Sequence, residues 1–474
     1  MSVSFIYLTP NSLLVNRRLQ SWLIASISLI CIIPAVQSQP RAENSALLPL
    51  PEIFFPNLKT LLDTAAAQSP RMITRNADDA AAEANRIVAR SGQLPSLGGG
   101  LSYYPWQRDV RVDVPTPLTS NRLTYNFGMT QPLYHWGALK NNTRIGELQL
   151  KITQGQTAEA YRMLVQEIRA HFLQLVIRKT ALVRARFSQD LSEQQLKLAE
   201  EKLKLKVISE SDIFGVRMSL TQANLTVDRA QEDYDSARRT LAKLSGSPAL
   251  SDDQVPDAIP PVAVSISTLE AQMAGINGGN PPDTNNLRAL EQQIQIEQLN
   301  YKNASVRLNP KFNFVVGLSQ DQQSYTSNIG AKYGVKSYYY GTSVSWSIFD
   351  GLATRGLKSG SLARRRQLEQ SYRTMSADLI EQAQSQLKQL GFAARGMAIS
   401  DQYLFLGENG VRVRKDDMGR GLASQADVEA AQMALFDARI NAYNARLDFL
   451  LRTTEYLSTL AKDPAVAKFS APHP

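Results

Sequence analysis

Two short stretches of the chain set a serine and a carboxylate at the same spacing: Ser209-Glu-Ser-Asp212 and Ser424-Gln-Ala-Asp427. Each carboxylate precedes a helical run and can accept backbone N–H bonds there, as an N-cap residue does. Ser211 stands beside the first of them. Residue types suited to catalysis are otherwise sparse. Of the 3 histidines, His473 is almost terminal, and His135 and His171 lie far apart. No HExxH, phosphate loop or paired-carboxylate spacing occurs, and the 10 methionines are scattered. The single cysteine, Cys31, lies in an apolar run near the N-terminus, so no disulfide is expected. These observations predict no enzyme, no metal and no cofactor.

The elements that carry the two carboxylates repeat. At an offset of 215 residues, Pro95 meets Pro310, Tyr125 meets Tyr340, and Gln174-Leu175 meets Gln389-Leu390. Farther on, Leu220, Ala223, Ala230 and Asp233 meet Leu435, Ala438, Ala445 and Asp448. One ungapped offset over so long a stretch marks an old duplication. The same corner is built twice, as QPLYHWG at 131–137 and as WSIFDGL at 346–352. A run without proline follows each corner, from Ala138 to about Lys206 and from Leu352 to about Met418. As helices these would be roughly 100 Å long. Leu191, Leu196, Leu198, Leu203 and Leu205 have the mixed spacing of coiled-coil packing. A polar turn and a shorter, alanine-rich helix then complete each hairpin. Hairpins of that length make a tube wall or a rod, not a compact globule.

The N-terminus reads as an export signal. Arg17 and Arg18 precede an apolar core, with small or polar residues near Ser38. The predicted organisation is a signal peptide at 1–38, a first repeat at 39–245 and an inter-repeat linker at 246–283. A second repeat at 284–462 and a tail at 463–474 follow. The formal charge of +9 falls to +7 without the two arginines of the signal. Spread along the chain, that excess fits solvated helix faces, and the export signal argues against nucleic acid as a partner.

Strands are expected at about 96–107, 122–134, 311–321 and 337–349. One face of them reads Leu97, Gly99, Leu101, Tyr103, then Tyr125, Phe127, Met129, Gln131, Leu133. In the second repeat it reads Phe312, Phe314, Val316, Leu318, then Tyr340, Thr342, Val344, Trp346, Ile348. The opposite face is small and polar, with Gly98, Gly100, Ser102, Asn126, Asn313 and Ser343 among its residues. Tyr103, Tyr104, Trp106, Tyr134, Trp136, Tyr338, Tyr339 and Phe349 are expected near strand ends, as an aromatic girdle. An apolar face opposite a wet one fits barrel strands in lipid. Four strands cannot close a barrel, because single-chain barrels begin at about eight. Several protomers would have to share one.

Together the export signal, the duplicated strand-strand-long-helix-helix unit, the PLYHWG and SIFDG corners and the S-x-x-D tips resemble the TolC-type outer-membrane efflux family, which includes type I secretion outer-membrane factors. The resemblance covers essentially the whole mature chain. It implies a mainly α fold with a small β part. In a homotrimer, four strands per chain would form a twelve-stranded barrel in outer-membrane lipid, continued by a helical periplasmic tunnel. Its implied partners are a periplasmic adaptor and an inner-membrane transporter of RND or ABC type. Carried over by motif, Asp212, Asp427 and Ser211 fall at the pore constriction. Val207, Ile208, Ser209, Gly421, Leu422, Ala423 and Ser424 fall on the adaptor-docking tips. Ala430 stands where a second acid sometimes follows the second tip. His135 replaces the family's usual corner Asp, which survives as Asp350. Crowding of tip carboxylates in a trimer would push some of their pKa values upward. The competing reading is an exported structural coiled-coil protein without a pore.

Overall fold

The computed structural model describes residues 48–110, 118–263, 266–273, 276, 280–325 and 332–470. The expected signal at 1–38 lies outside them, as do residues 471–474 of the tail. Three helices open the described chain: α1 (Pro51–Phe54), α2 (Pro56–Gln68) and α3 (Pro70–Ser91). Each starts on a proline, whose missing N–H costs nothing in a first turn. The first repeat continues through β1 (Ser96–Asp109), β2 (Leu118–Tyr134), α4 (Ala138–Lys204) and α5 (Glu210–Ser245). After α6 (Ile266–Gln272), the second runs α7 (Asn285–Ser305), β3 (Lys311–Tyr325), β4 (Lys332–Ser345), α8 (Ala353–Gly419) and α9 (Gln425–Thr459). A short α10 (Pro464–Ser470) closes it.

Helices α4 and α8 have 67 residues each, and α5 and α9 have 36 and 35. Among the described residues eight have a left-handed backbone: Trp136, Gly137, Lys206 and Gly246, then Gly351, Leu352, Gly421 and Ala461. Each of the first four stands 215 positions ahead of its counterpart. The duplication is therefore written in backbone torsions as well as in residue types.

The main core lies partway along the hairpins. Leu58 and Leu62 of α2 meet Leu164, Ile168 and Phe172 of α4, Leu241 of α5, and Phe449 and Tyr456 of α9. Inside this layer Arg169 is fully buried. It donates to both oxygens of Asp463, at 2.6 and 3.0 Å, and through Nε to Glu52 at 3.1 Å. Farther toward the tips, Arg184 of α4 pairs with Asp437 of α9 at 2.7 Å. Phe187 and Phe436 lie 5.5 Å apart beside them. The two hairpins thus share one wall.

The four strands form one antiparallel sheet in the order β1-β2-β3-β4. Among the described residues, strands β1 and β4 leave two edges of the sheet without a partner strand. Directly opposed residues share a face, so Leu97, Met129, Val316 and Tyr340 form one row. Gly98, Gly128, Gly317 and Tyr339 form the adjacent row on the other face. Two details depart from the expected alternation. A register shift between Pro132 and Tyr134 takes Leu133 out of step and sets Tyr134 opposite Phe312. The ladder of β4 ends at Ser345, so Trp346, Ile348 and Phe349 belong to the corner.

Candidate functional site

Both helix hairpins reverse through the same local chemistry. At the first tip Ser209 is the N-cap of α5, and its hydroxyl accepts from the backbone N–H of Asp212 at 3.4 Å. Asp212 reaches back, accepting from the Ser209 N–H at 2.9 Å and its hydroxyl at 2.7 Å. The second tip repeats this with Ser424 and Asp427, at 3.3, 2.8 and 2.7 Å. Each is a capping box, with two otherwise orphaned N–H groups satisfied reciprocally. The expected cap was the carboxylate; the serine holds that position, and the aspartate stands three residues into the helix. Ser211 joins the first tip through its hydroxyl, 2.7 Å from that of Ser209.

Around these caps the tips present exposed side chains. Val207, Ser209, Ser211, Asp212, Leu422, Ser424 and Asp427 are exposed, as is Gly421, while Ile208 and Ala423 are half-buried. Leu422 keeps 75% of its surface. One residue past each aspartate, Ile213 and Val428 are buried and anchor the helix start. The backbone N–H and hydroxyl of Ser209 hold Asp212 below the usual carboxylate range. The hydroxyl and N–H of Ser424 do the same to Asp427, with a smaller contribution from Arg414. These are effects within one chain; the upward shift expected from carboxylate crowding concerns the trimer. The serine donors favour the charged form, so each tip carries a full negative charge at neutral pH.

At the other end, the two corners share a design with one substitution. Trp136 Nε1 donates to the carbonyl of Pro310 at 2.7 Å, and Trp346 Nε1 to that of Leu308 at 2.9 Å. Asp350 accepts from the N–H and hydroxyl of Thr354, in the first turn of α8, at 3.0 and 2.7 Å. In the first copy His135 stands there and meets Asn313 at 2.9 Å. Of three consecutive arginines at 364–366, Arg364 pairs with Glu297 at 3.2 Å and Arg365 with Glu369 at 2.7 Å.

The sheet between the corners has one apolar and one small, polar face. Leu97 and Tyr340, at opposite edges of the apolar face, each keep 83% of their surface. An apolar sheet face exposed to this degree calls for a partner or for lipid. The girdle expectation needs correction for Tyr338 and Tyr339, which pair with Leu318 and Gly317 in the middle of the ladder. Tyr134, Trp136 and Phe349 do lie at the helix end of the sheet. Register decides this, and register could not be read before the strand partners were known. Among the described residues no group of three metal-ligating side chains converges. Nor is any described helix long and apolar enough to cross a membrane.

The outer membrane efflux protein family model matches residues 61–247 and 283–456, most of the chain. The chain belongs to that family, and its place is the outer membrane, with the helical part in the periplasm. No curated protein matches. Among solved structures it is similar to the outer membrane channel CmeC of Campylobacter jejuni, at a TM-score of 0.64 and 12% identity. That match covers 87% of this chain and 88% of the other. Similarity to the outer-membrane channel OprN has a TM-score of 0.63 and 15% identity, over 90% and 96% of the two chains. The open-state MtrE channel of Neisseria gonorrhoeae matches at 0.59 and 14%, over 87% and 89%. At such identities the likeness concerns the fold.

Proposed function

We propose that this outer membrane efflux protein is the passive exit duct of a tripartite efflux or type I secretion system. Three chains join their sheets edge to edge into one twelve-stranded barrel. The observation that carries this reading is a four-stranded sheet with two open edges and an exposed apolar face, continued by hairpins about 100 Å long. Open edges and an apolar face are both satisfied when the sheet closes in lipid, where every backbone group needs a partner.

The tips are the proposed periplasmic end. Asp212 and Asp427, with Ser211 beside the first, form the constriction. Val207, Ile208 and Ser209 with Gly421, Leu422, Ala423 and Ser424 form the surface that a periplasmic adaptor grips, and an inner-membrane transporter of RND or ABC type loads the assembly. The chain does no chemistry in this role; it supplies a water-filled path and a charged gate. Purified protein is expected to be a trimer with pore activity in planar bilayers. A monodisperse water-soluble monomer would sink the duct reading in favour of a structural envelope protein.

A further inference from the structure

The polar face of the sheet is almost bare of large side chains at mid-height, and one residue breaks the pattern. In the row Gly98, Gly128, Gly317, Tyr339, the fourth position carries an aromatic ring. That ring does not stand up from the sheet. A Cβ placed on Gly317 would lie 2.5 Å from both Cζ and the hydroxyl oxygen of Tyr339, so the ring occupies the space above the glycine. Beyond it the row stays open: nothing lies within 4 Å of the Cβ position of Gly98. On the opposite face Phe127 covers Gly99 in the same manner, at 2.6 Å. The sheet thus folds a ring over a glycine on each face.

On the lumenal side this has a consequence for the bore. Resting on the barrel reading above, twelve strands spaced by about 4.8 Å and tilted by about 40° close at a radius of roughly 12 Å. A tyrosine projecting inward would span roughly half of that radius, and threefold repetition would bring three rings to one level. We propose that Gly317 keeps the exit open by giving the ring of Tyr339 a place against the wall, so that this pair sets the width of the barrel lumen. A side chain at position 317 would lift all three rings toward the axis. The cargo concerned is anything wide enough to fill the duct, whatever its chemistry.

The test reads lumen width from outside the cell, independently of the distant periplasmic tips. Ser343 is exposed on β4, on the same face as Tyr339 but nearer the helices, so a probe entering from outside the cell, at the end of the sheet farthest from the helices, must pass Tyr339 to reach it. In a Cys31→Ser background, Ser343→Cys is the only thiol. Whole cells are treated with a small maleimide and with large polyethylene-glycol maleimides. Gly317→Val should slow labelling by the large reagents several-fold and leave the small one unchanged. Gly317→Ala, a milder change at the same contact, should act in the same direction. Adding Tyr339→Ser to Gly317→Val should restore fast labelling, with equal protein levels in the outer membrane throughout. Size-dependent rates identical to those of the Gly317 protein would overturn the inference and leave the duct reading intact. If Ser343→Cys reacts with no external reagent even before position 317 is changed, both readings fail together.

Discussion

Replacing Arg169 by methionine should unlock the layer that joins both ends of the described chain to the long helix α4. The guanidinium is fully buried, and its partners Asp463 and Glu52 come from the segment before α10 and from α1. Burial pulls its pKa down, but the bonds and charge of Asp463, then those of Glu52, outweigh this and hold it above its ordinary value. It is charged at any accessible pH. Methionine fills much of the space but strands two carboxylates, and Asp463 is itself only 3% exposed. Removing one partner of a buried pair costs about 3–5 kcal/mol, mostly as the penalty on the charge left behind. The triple change Glu52→Gln, Arg169→Met and Asp463→Asn removes those charges and should recover most of the loss. Guanidinium denaturation of the detergent-solubilised protein, followed by far-UV ellipticity, measures both variants. Limited proteolysis at α10 reports whether that helix has come off α4. A loss below about 1 kcal/mol for Arg169→Met, or a triple variant no better than the single one, would refute the stranded-charge argument.

Five further expectations rest on the tips and turns. Gly246→Ala places a Cβ 2.1 Å from the carbonyl oxygen of Gln68 in a left-handed backbone, so it should lower the denaturation midpoint strongly. Ala461→Gly, at the matching position, should leave the midpoint unchanged or raise it slightly, since glycine carries no left-handed penalty. Asp427→Asn keeps a side-chain acceptor but no charge; in single-channel recordings it should lose cation selectivity and divalent block, and wild-type behaviour would reduce Asp427 to a cap. Asp212 and Asp427 have depressed pKa values, so the stability they lend the tips is full above about pH 4 and fades as pH falls through their folded values. Proteolysis of the tips should therefore accelerate only in acid. Replacing Leu422 and Ser424 by bulky acidic residues should abolish export while membrane insertion persists, and unchanged export would move docking elsewhere.

Much of this architecture was legible because its signals are periodic and repeated. Two runs without proline and two S-x-x-D turns locate the hairpins, since helix propagation needs only local chemistry. Strand alternation separates the two faces because its period is two. What stayed hidden depends on partners distant in sequence. The triad of Glu52, Arg169 and Asp463 joins residues 117 and 294 positions apart, and nothing local marks Arg169 among the other arginines of α4. The mid-sheet place of Tyr338 and Tyr339 depends on the register of β3 with β4. The roles of serine and aspartate at the tips were exchanged for a simpler reason. Both residue types cap helices, and only the torsions of Ser209 and Ser424, both extended, tell which one stands at the boundary.

The left-handed residues carry the argument about the duplication one step further. In each of the four pairs glycine occupies one member: Gly137 against Leu352, Gly351 against Trp136, Gly421 against Lys206, and Gly246 against Ala461. A left-handed backbone costs a non-glycine residue about 1–2 kcal/mol, so local preference alone would favour glycine at all eight positions. The geometry persists where glycine is missing because the surrounding structure imposes it. At the corners the tryptophan hydrogen bonds to Pro310 and Leu308 tie both turns to the foot of β3. After α9, Lys462 donates its N–H to the carbonyl of Leu457 at 2.8 Å and closes the helix end without glycine. A search for paired glycines would have missed every one of these turns. The offset of 215 finds all four, since what the two halves share there is a backbone path. Each half must make the same reversals to carry a strand pair into one common wall, whichever residue happens to stand at the bend.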